Sequence, residues 1–155
     1  MDYEIEVVER SVEDTAVIRG RVARGTVARF VPEALGELVG SVGTDPIAGP
    51  PFCRMDMDGE DFLLEVGFPV ERPVDGAGRV ESSSLPGGFV ATALNVGPYE
   101  TVVPAYRAVQ VWMAEHHYEP TGAPWESYLD GPEVDNPRTL VCWPCRRRPS
   151  WESSG

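Results

Sequence analysis

Residues 124–129, Pro-Trp-Glu-Ser-Tyr-Leu, place one carboxylate in a short segment that is otherwise rich in aromatic and apolar side chains. Turn-forming glycines and prolines bound the segment on both sides, which favours a β-strand. Because side chains alternate along a strand, the pattern predicts that Glu126 and Tyr128 share one face. A carboxylate held beside aromatic rings and away from water is costly unless a positive group compensates it. A bulky organic cation would satisfy both the charge and the rings, so the segment indicates a binding site for such a ligand.

Glu126 also has simpler explanations. It could be a solvated carboxylate on an edge strand, or it could form an ion pair with an arginine of a neighbouring strand. Core packing likewise accounts for each aromatic residue that could line a site, when each is taken singly. The observation that favours the binding site is the i to i+2 relation of Glu126 and Tyr128, because it forces the two side chains onto one face.

The charge of the chain excludes several classes of partner. Its 155 residues include 13 lysines and arginines against 25 aspartates and glutamates, which gives a formal net charge of −12. Such a field repels phosphate backbones, so we expect no direct binding to nucleic acid. No apolar run approaches the roughly 20 residues of a membrane helix, and the acidic N-terminus is unlike a signal peptide, so we expect no membrane association. The three cysteines, an odd number, fit a reducing compartment, and we expect a cytoplasmic protein.

The sequence predicts neither a metal ion nor a cofactor. His116 and His117 are adjacent, so they cannot both face one metal from one side of a helix. Cys142 and Cys145 have the spacing of a thioredoxin-type redox pair. That chemistry requires a helix at the first cysteine, whereas the residues here favour a strand. No phosphate-binding glycine loop and no Ser-His-Asp set is present.

Alternating and helical patterns of apolar residues divide the chain into two similar halves. Each half is predicted to hold a strand, a helix and a hairpin, from strand 15–22 to strand 61–70 in the first half and from strand 89–96 to strand 139–145 in the second. The predicted fold class is α+β, with duplicated βαββ units forming one antiparallel sheet. Both helices are expected on one face of the sheet. A ligand groove is expected on the other face, at the pseudo-twofold seam between the halves.

Aligning the hairpins of the two halves adds three residues to the predicted site. Phe68 and Trp143 occupy equivalent positions, each before a proline that marks a strand end, and both are expected to flank the groove. Met55 falls at the position of Tyr128, where its flexible side chain would form an adaptable wall.

Three features together resemble the GyrI-like small-molecule-binding domain. They are the βαββ duplication, the segment 96–100 (Val-Gly-Pro-Tyr-Glu) before the second helix, and the segment 125–132 (Trp-Glu-Ser-Tyr-Leu-Asp-Gly-Pro). This family includes gyrase inhibitors and the BmrR-type effector-binding domains of multidrug-responsive regulators. The resemblance covers residues 3–147 and implies a ligand-binding domain over residues 1–147. The serine-rich residues 148–155 are predicted to form a flexible tail.

The resemblance also implies roles for individual residues. Glu126 would meet cationic lipophilic drugs inside an aromatic pocket, and Tyr99 would line the same pocket. Some stand-alone relatives hydrolyse cyclopropane-bearing DNA-alkylating natural products, and Glu126 would then be the catalytic residue. Met55 departs from the family pattern, in which a tyrosine is common at this position. No helix-turn-helix precedes the domain in the sequence, so a transcriptional role would require a separate partner chain.

Three functions therefore remain open. The leading hypothesis is a cytoplasmic protein that binds and sequesters lipophilic, often cationic small molecules. The residues expected to line its site are Glu126, Tyr128, Tyr99, Trp143, Phe68 and Met55. The second hypothesis is a hydrolase on the same scaffold, with Glu126 as a general base on water or as an acid toward a carbonyl group. The third is an interaction module like the gyrase inhibitors, which would contact a protein partner through its acidic surface.

Overall fold

The structure, a computed structural model, describes residues 3–131 and 133–149. Within these residues the chain forms nine strands and two α-helices, so the fold class is α+β, as predicted. The elements are, in chain order, β1 (Ile5–Arg10), β2 (Glu13–Val22), α1 (Val27–Val42), β3 (Phe52–Asp58), β4 (Asp61–Pro69), β5 (Val80–Leu85), β6 (Gly88–Val96), α2 (Val103–Glu115), β7 (Tyr118–Pro120), β8 (Trp125–Tyr128) and β9 (Arg138–Arg147). Residues 150–155 of the predicted tail and Pro132 of the predicted turn lie outside the described residues.

The chain divides into two compact units. Val12–Pro86 forms the first, which we call the central unit, and Met1–Ser11 together with Gly87–Gly155 forms the second, which we call the terminal unit. In the central unit the strands lie in the order β3, β4, β2, β5, and in the terminal unit they lie in the order β1, β6, β9, β8, with β7 also paired to β9. All of these pairings are antiparallel.

The two hairpins have the same pairing offset. In the central unit β3 pairs with β4 so that Cys53 lies opposite Val66. In the terminal unit β8 pairs with β9 so that Glu126 lies opposite Val141. These offsets are those that the sequence alignment of the two halves requires, and the duplication itself stays a prediction.

In the central unit, α1 packs against one face of the sheet through Phe30. The ring of Phe30 lies so close to Gly20 that a Cβ atom there would be 2.5 Å from the ring. Gly20 pairs with Leu64, and Leu64 pairs with Met55. Since residues that pair in register point to the same side of a sheet, Met55 lies on the face that carries α1.

In the terminal unit, α2 packs against the sheet through its apolar side. This core contains Ala105, Val109 and Met113 of α2 together with strand residues that include Ala93 and Val141, all of them buried. Val141 therefore points toward α2, and the residue paired with it points the same way.

The predicted position of the groove relative to the helices is wrong where Glu126 is concerned. The groove that Glu126 was expected to line was placed on the sheet face without helices, but Glu126 pairs with Val141 and therefore faces α2. The physical reason is that the two-residue period of a strand fixes which residues share a face, whereas the packing of the crossover helix decides which face it covers.

Candidate functional site

Strand β8 buries Glu126 in the interior of the terminal unit. The residue is only 5% exposed. Its carboxylate accepts a hydrogen bond of 2.7 Å from the hydroxyl of Tyr106 on α2 and a second of 3.4 Å from the hydroxyl of Tyr128, two residues along the strand. Glu126 and Tyr128 therefore share one face, as the alternation of the strand predicts.

Two further aromatic rings extend this arrangement. The ring of Tyr99 meets that of Tyr128 edge to face, with 5.5 Å between the ring centroids, and its hydroxyl donates a hydrogen bond of 2.9 Å to the carbonyl of Asp130. The ring of Trp143 meets that of Tyr106 edge to face at 6.0 Å. Edge-to-face pairs of this kind stabilise one another by about 0.5–1.5 kcal/mol beyond the area they bury. We call the set the tyrosine–carboxyl cluster; its members are Glu126, Tyr106, Tyr128, Tyr99 and Trp143.

Four of the six residues predicted to line the site thus lie together, whereas Phe68 and Met55 belong to the central unit. Phe68 is buried, with 2% of its surface exposed. It pairs with Ala16, which is on the same face as Gly20, so Phe68 and Met55 both lie on the face that carries α1. The participation of these two residues in the site stays a prediction.

Tyr106 is the member of the cluster that sequence analysis missed. Its position in α2 fits the apolar side of the helix, so the periodicity of the sequence assigns it to the core. A signal was nevertheless available, because the hydroxyl of a buried tyrosine usually requires a hydrogen-bond partner. The sequence could not identify that partner, since Glu126 lies 20 residues further along the chain.

Glu126 differs from the other buried carboxylate that the structure describes. Glu65, in the central unit, forms ion pairs with Arg19, at 3.0 Å, and with Arg54. Within the described residues Glu126 forms no ion pair, and its described hydrogen bonds come from neutral tyrosine hydroxyls. Glu126 is therefore not solvated, and no arginine among the described residues pairs with it, so neither of the simpler explanations fits this part of the chain.

Burial raises the pKa of Glu126 above its ordinary value of 4.5, and the hydrogen bonds from Tyr106 and then Tyr128 partly offset that rise. The cause is that burial disfavours the charged form of a carboxyl group, whereas hydrogen-bond donors favour it. The arrangement can therefore hold a proton, or it can present a poorly solvated negative charge to a cation.

Replacing Tyr106 by Phe is expected to raise the pKa of Glu126 further. The substitution removes the shorter of the two hydrogen bonds to the carboxylate, and that bond favours the anion. Carbon-13 NMR of the Glu126 carboxyl group across a pH series would measure the change. Tyr128→Phe is the matched control, for which we expect a smaller rise because its bond is longer. An unchanged or lowered pKa in Tyr106→Phe would contradict this account of the cluster.

The positions of Cys142 and Cys145 do not fit a redox pair. Cys142 lies opposite Thr92 and Cys145 lies opposite Phe89, three positions apart along β9, so the two thiols point to opposite faces. Burial raises the pKa of the Cys145 thiol, which is the reverse of what a redox cysteine requires. Among residues 3–131 and 133–149, no three His, Cys, Asp or Glu residues are grouped so that they could hold a metal ion.

In the same part of the chain, neither helix combines the length and the apolar character needed to cross a bilayer.

Comparison with a library of protein families confirms the resemblance seen in the sequence. Residues 47–146 match the family described as the GyrI-like small molecule binding domain. No curated protein sequence matches the chain.

Three solved structures are similar to the chain in fold. The C-terminal domain of EcmrR aligns with a TM-score of 0.81 at 19% identity, over 95% of this chain and 99% of that chain. A hydrolase from Listeria innocua aligns with a TM-score of 0.67 at 13% identity, over 92% of each chain. SAV2435 bound to tetraphenylphosphonium aligns with a TM-score of 0.63 at 10% identity, over 94% of each chain. Identities this low establish a shared fold and nothing about ligands.

Proposed function

Since the chain belongs to the GyrI-like small molecule binding domain family, we propose that it is a cytoplasmic protein that binds and sequesters lipophilic, often cationic small molecules. The odd number of cysteines, three in the chain, fits a reducing compartment. The net charge of −12 would attract cationic ligands and repel nucleic acid.

The observation that carries this proposal is a buried carboxylate without a described positive partner. Glu126 is 5% exposed and is held by two tyrosine hydroxyls, with aromatic rings beyond them. A buried, unpaired charge costs several kcal/mol, a cost that a protein with no use for the charge would avoid. A ligand cation would supply the missing countercharge.

The chemistry of the cluster favours cations that are large and delocalised. Such a cation has a weak hydration shell, so it gives up little when it leaves water, and its apolar groups gain about 25 cal/mol per Å² buried. Each ring placed face-on adds about 0.5–2 kcal/mol of cation–π attraction. These contacts have little directionality, and the site should therefore accept several ligands of similar size and charge. The ligand of SAV2435, tetraphenylphosphonium, belongs to this chemical class and is a suitable probe.

The remaining predicted residues would complete the site. Phe68 and Met55 occupy, in the central unit, the positions that Trp143 and Tyr128 occupy in the terminal unit. This equivalence supports the proposed duplication of the βαββ unit. Phe68 and Met55 are accordingly proposed as ligand contacts, with Met55 adapting to different ligands.

Titration calorimetry with two matched ligands tests the proposal. Tetraphenylphosphonium and neutral triphenylphosphine oxide have similar apolar groups, but only the first carries a charge. We expect the cation to bind at least about tenfold more tightly than the neutral compound, a difference of about 1.4 kcal/mol. Equal affinities for the two would contradict a site built around a carboxylate, and no binding of either would contradict the proposed function.

A hydrolase is the second candidate, and the raised pKa of Glu126 is the observation that favours it. A carboxyl group whose pKa lies nearer neutrality is a better general acid or base. In a cyclopropane-bearing alkylator, water would add to a ring carbon, the ring bond would break, and its electron pair would pass to the conjugated carbonyl group. Glu126 would take the proton from water or give one to the carbonyl oxygen. Mass spectrometry would then find the water adduct in molar excess over protein, and Glu126→Gln would abolish that turnover.

A further inference from the structure

The outer side of α2 is apolar and exposed. Val103 is 61% exposed and Val111 is 53% exposed, although both belong to a helix whose other side packs into the core. They border a surface groove of about 610 Å³ between this helix and the N-terminal segment. The residues that give the groove its apolar character are Tyr3, Ile5, Val103, Pro104, Val111 and Trp112.

Two opposite charges flank Val111 symmetrically on the same helix. Arg107 lies four residues before Val111 and Glu115 lies four residues after it, and both also line the groove. Both side chains are exposed, and within the described residues neither side chain forms a hydrogen bond or an ion pair. Their separation of eight residues is roughly 12 Å along the helix axis, which is too far for the two to pair with each other.

The helix is also neutral, whereas the chain as a whole is strongly acidic. Arg107 and Glu115 are the only charged residues of α2, and the chain has a net charge of −12. Two copies of such a chain repel each other over most of their surfaces. Because α2 has no net charge, two copies can approach each other along its outer side without net repulsion between the helices.

We infer that the outer side of α2 is an interface between two copies of this chain. The two α2 helices pack antiparallel, with the twofold axis passing beside Val111. In this arrangement Arg107 of each copy meets Glu115 of the other, and the valines at the centre contact each other across the axis. The charges on this surface are self-complementary, as a twofold interface requires. This inference concerns assembly and goes beyond the proposed ligand site, which lies on the inner side of α2.

Charge reversal at the two flanking positions tests the interface. Sedimentation equilibrium of the full chain is expected to show a reversible monomer–dimer equilibrium. Arg107→Glu places two acidic groups opposite each other, and Glu115→Arg places two basic groups opposite each other. Each single variant should therefore raise the dimer dissociation constant by at least about tenfold. The double variant exchanges the two charges, restores both pairs, and should return to within about threefold of the wild-type constant.

Arg29→Glu is the matched control, because it makes the same change in net charge at an exposed arginine of α1 that has no described partner. It should leave the dissociation constant within about threefold of wild type. Circular dichroism of each variant would confirm that α2 is intact. A wild-type chain that stays monomeric up to about 500 µM would overturn the inference. It would also be overturned by single variants that behave like Arg29→Glu, or by a double variant that dimerises no better than the singles.

Discussion

Glu126→Gln is expected to weaken the binding of tetraphenylphosphonium by about 2–3 kcal/mol, or on the order of 30- to 150-fold in dissociation constant. Glutamine has nearly the same shape and still accepts a hydrogen bond from Tyr106, so the cluster keeps its packing and loses its charge. The loss is large because attraction between charges is strong where water is excluded, and Glu126 is only 5% exposed.

The control for this variant is Asp75→Asn, which removes one negative charge from an exposed position in the central unit. It should change the affinity less than about twofold, because exposed charges are screened by salt. Neutral triphenylphosphine oxide should bind wild type and Glu126→Gln about equally well. If both variants weakened tetraphenylphosphonium binding to the same small extent, the overall charge of the chain would be responsible and the role of Glu126 would be refuted.

The same reasoning predicts how cation binding depends on pH. The pKa of Glu126 is raised in the folded protein, so the group is neutral below that pKa and charged above it. A cation gains the Coulomb attraction only from the charged form. The affinity for tetraphenylphosphonium should therefore rise as the pH increases through the pKa of Glu126 in the folded protein. In Glu126→Gln the affinity should not depend on pH over this range.

Gly67→Ala is expected to lower the free energy of unfolding by about 2–4 kcal/mol. Gly67 lies in β4 between its two neighbouring strands, opposite Phe52 on one side and Val17 on the other. A Cβ atom at this position would overlap the backbone carbonyl oxygen of Ala16 and would lie 2.8 Å from Cγ1 of Val17. A backbone oxygen cannot rotate away as a side chain can, so β2 and β4 would have to separate locally.

Urea unfolding followed by circular dichroism would measure this loss, with Gly36→Ala as the control. Gly36 is exposed in the interior of α1, and a Cβ atom there meets nothing within 4 Å. Alanine at this position should raise the free energy of unfolding by about 0.5–1 kcal/mol, since it favours the helix. If Gly67→Ala and Gly36→Ala had the same free energy of unfolding, the close approach of β2 to β4 at Gly67 would be contradicted.

The sequence was a good guide to features that depend on local patterns. The alternation of residues 125–128 predicts both the strand and the shared face of Glu126 and Tyr128, which the structure confirms. The alignment of the two hairpins predicts equal pairing offsets, which are also observed. Both inferences use the period of a strand, and that period is set by backbone geometry alone.

The sequence was a poor guide to features that depend on contacts between distant segments. It did not show that Glu126 faces α2, because the side of the sheet on which a helix packs is not encoded in the period of the strand. It placed Tyr106 on the apolar side of the second helix, where it packs against the core, but did not show that its hydroxyl reaches Glu126. Strand β7 was also missed, since its three residues form a strand only because they pair with the end of β9.

The most direct test of the central claim is the pKa of Glu126 with and without a bound cation, measured by carbon-13 NMR of its carboxyl group. If tetraphenylphosphonium binds beside this carboxylate, it favours the charged form, so the pKa must fall on saturation. Neutral triphenylphosphine oxide should not lower it. A pKa that stays the same when tetraphenylphosphonium saturates the protein would show that the cation binds elsewhere and that Glu126 is not its countercharge.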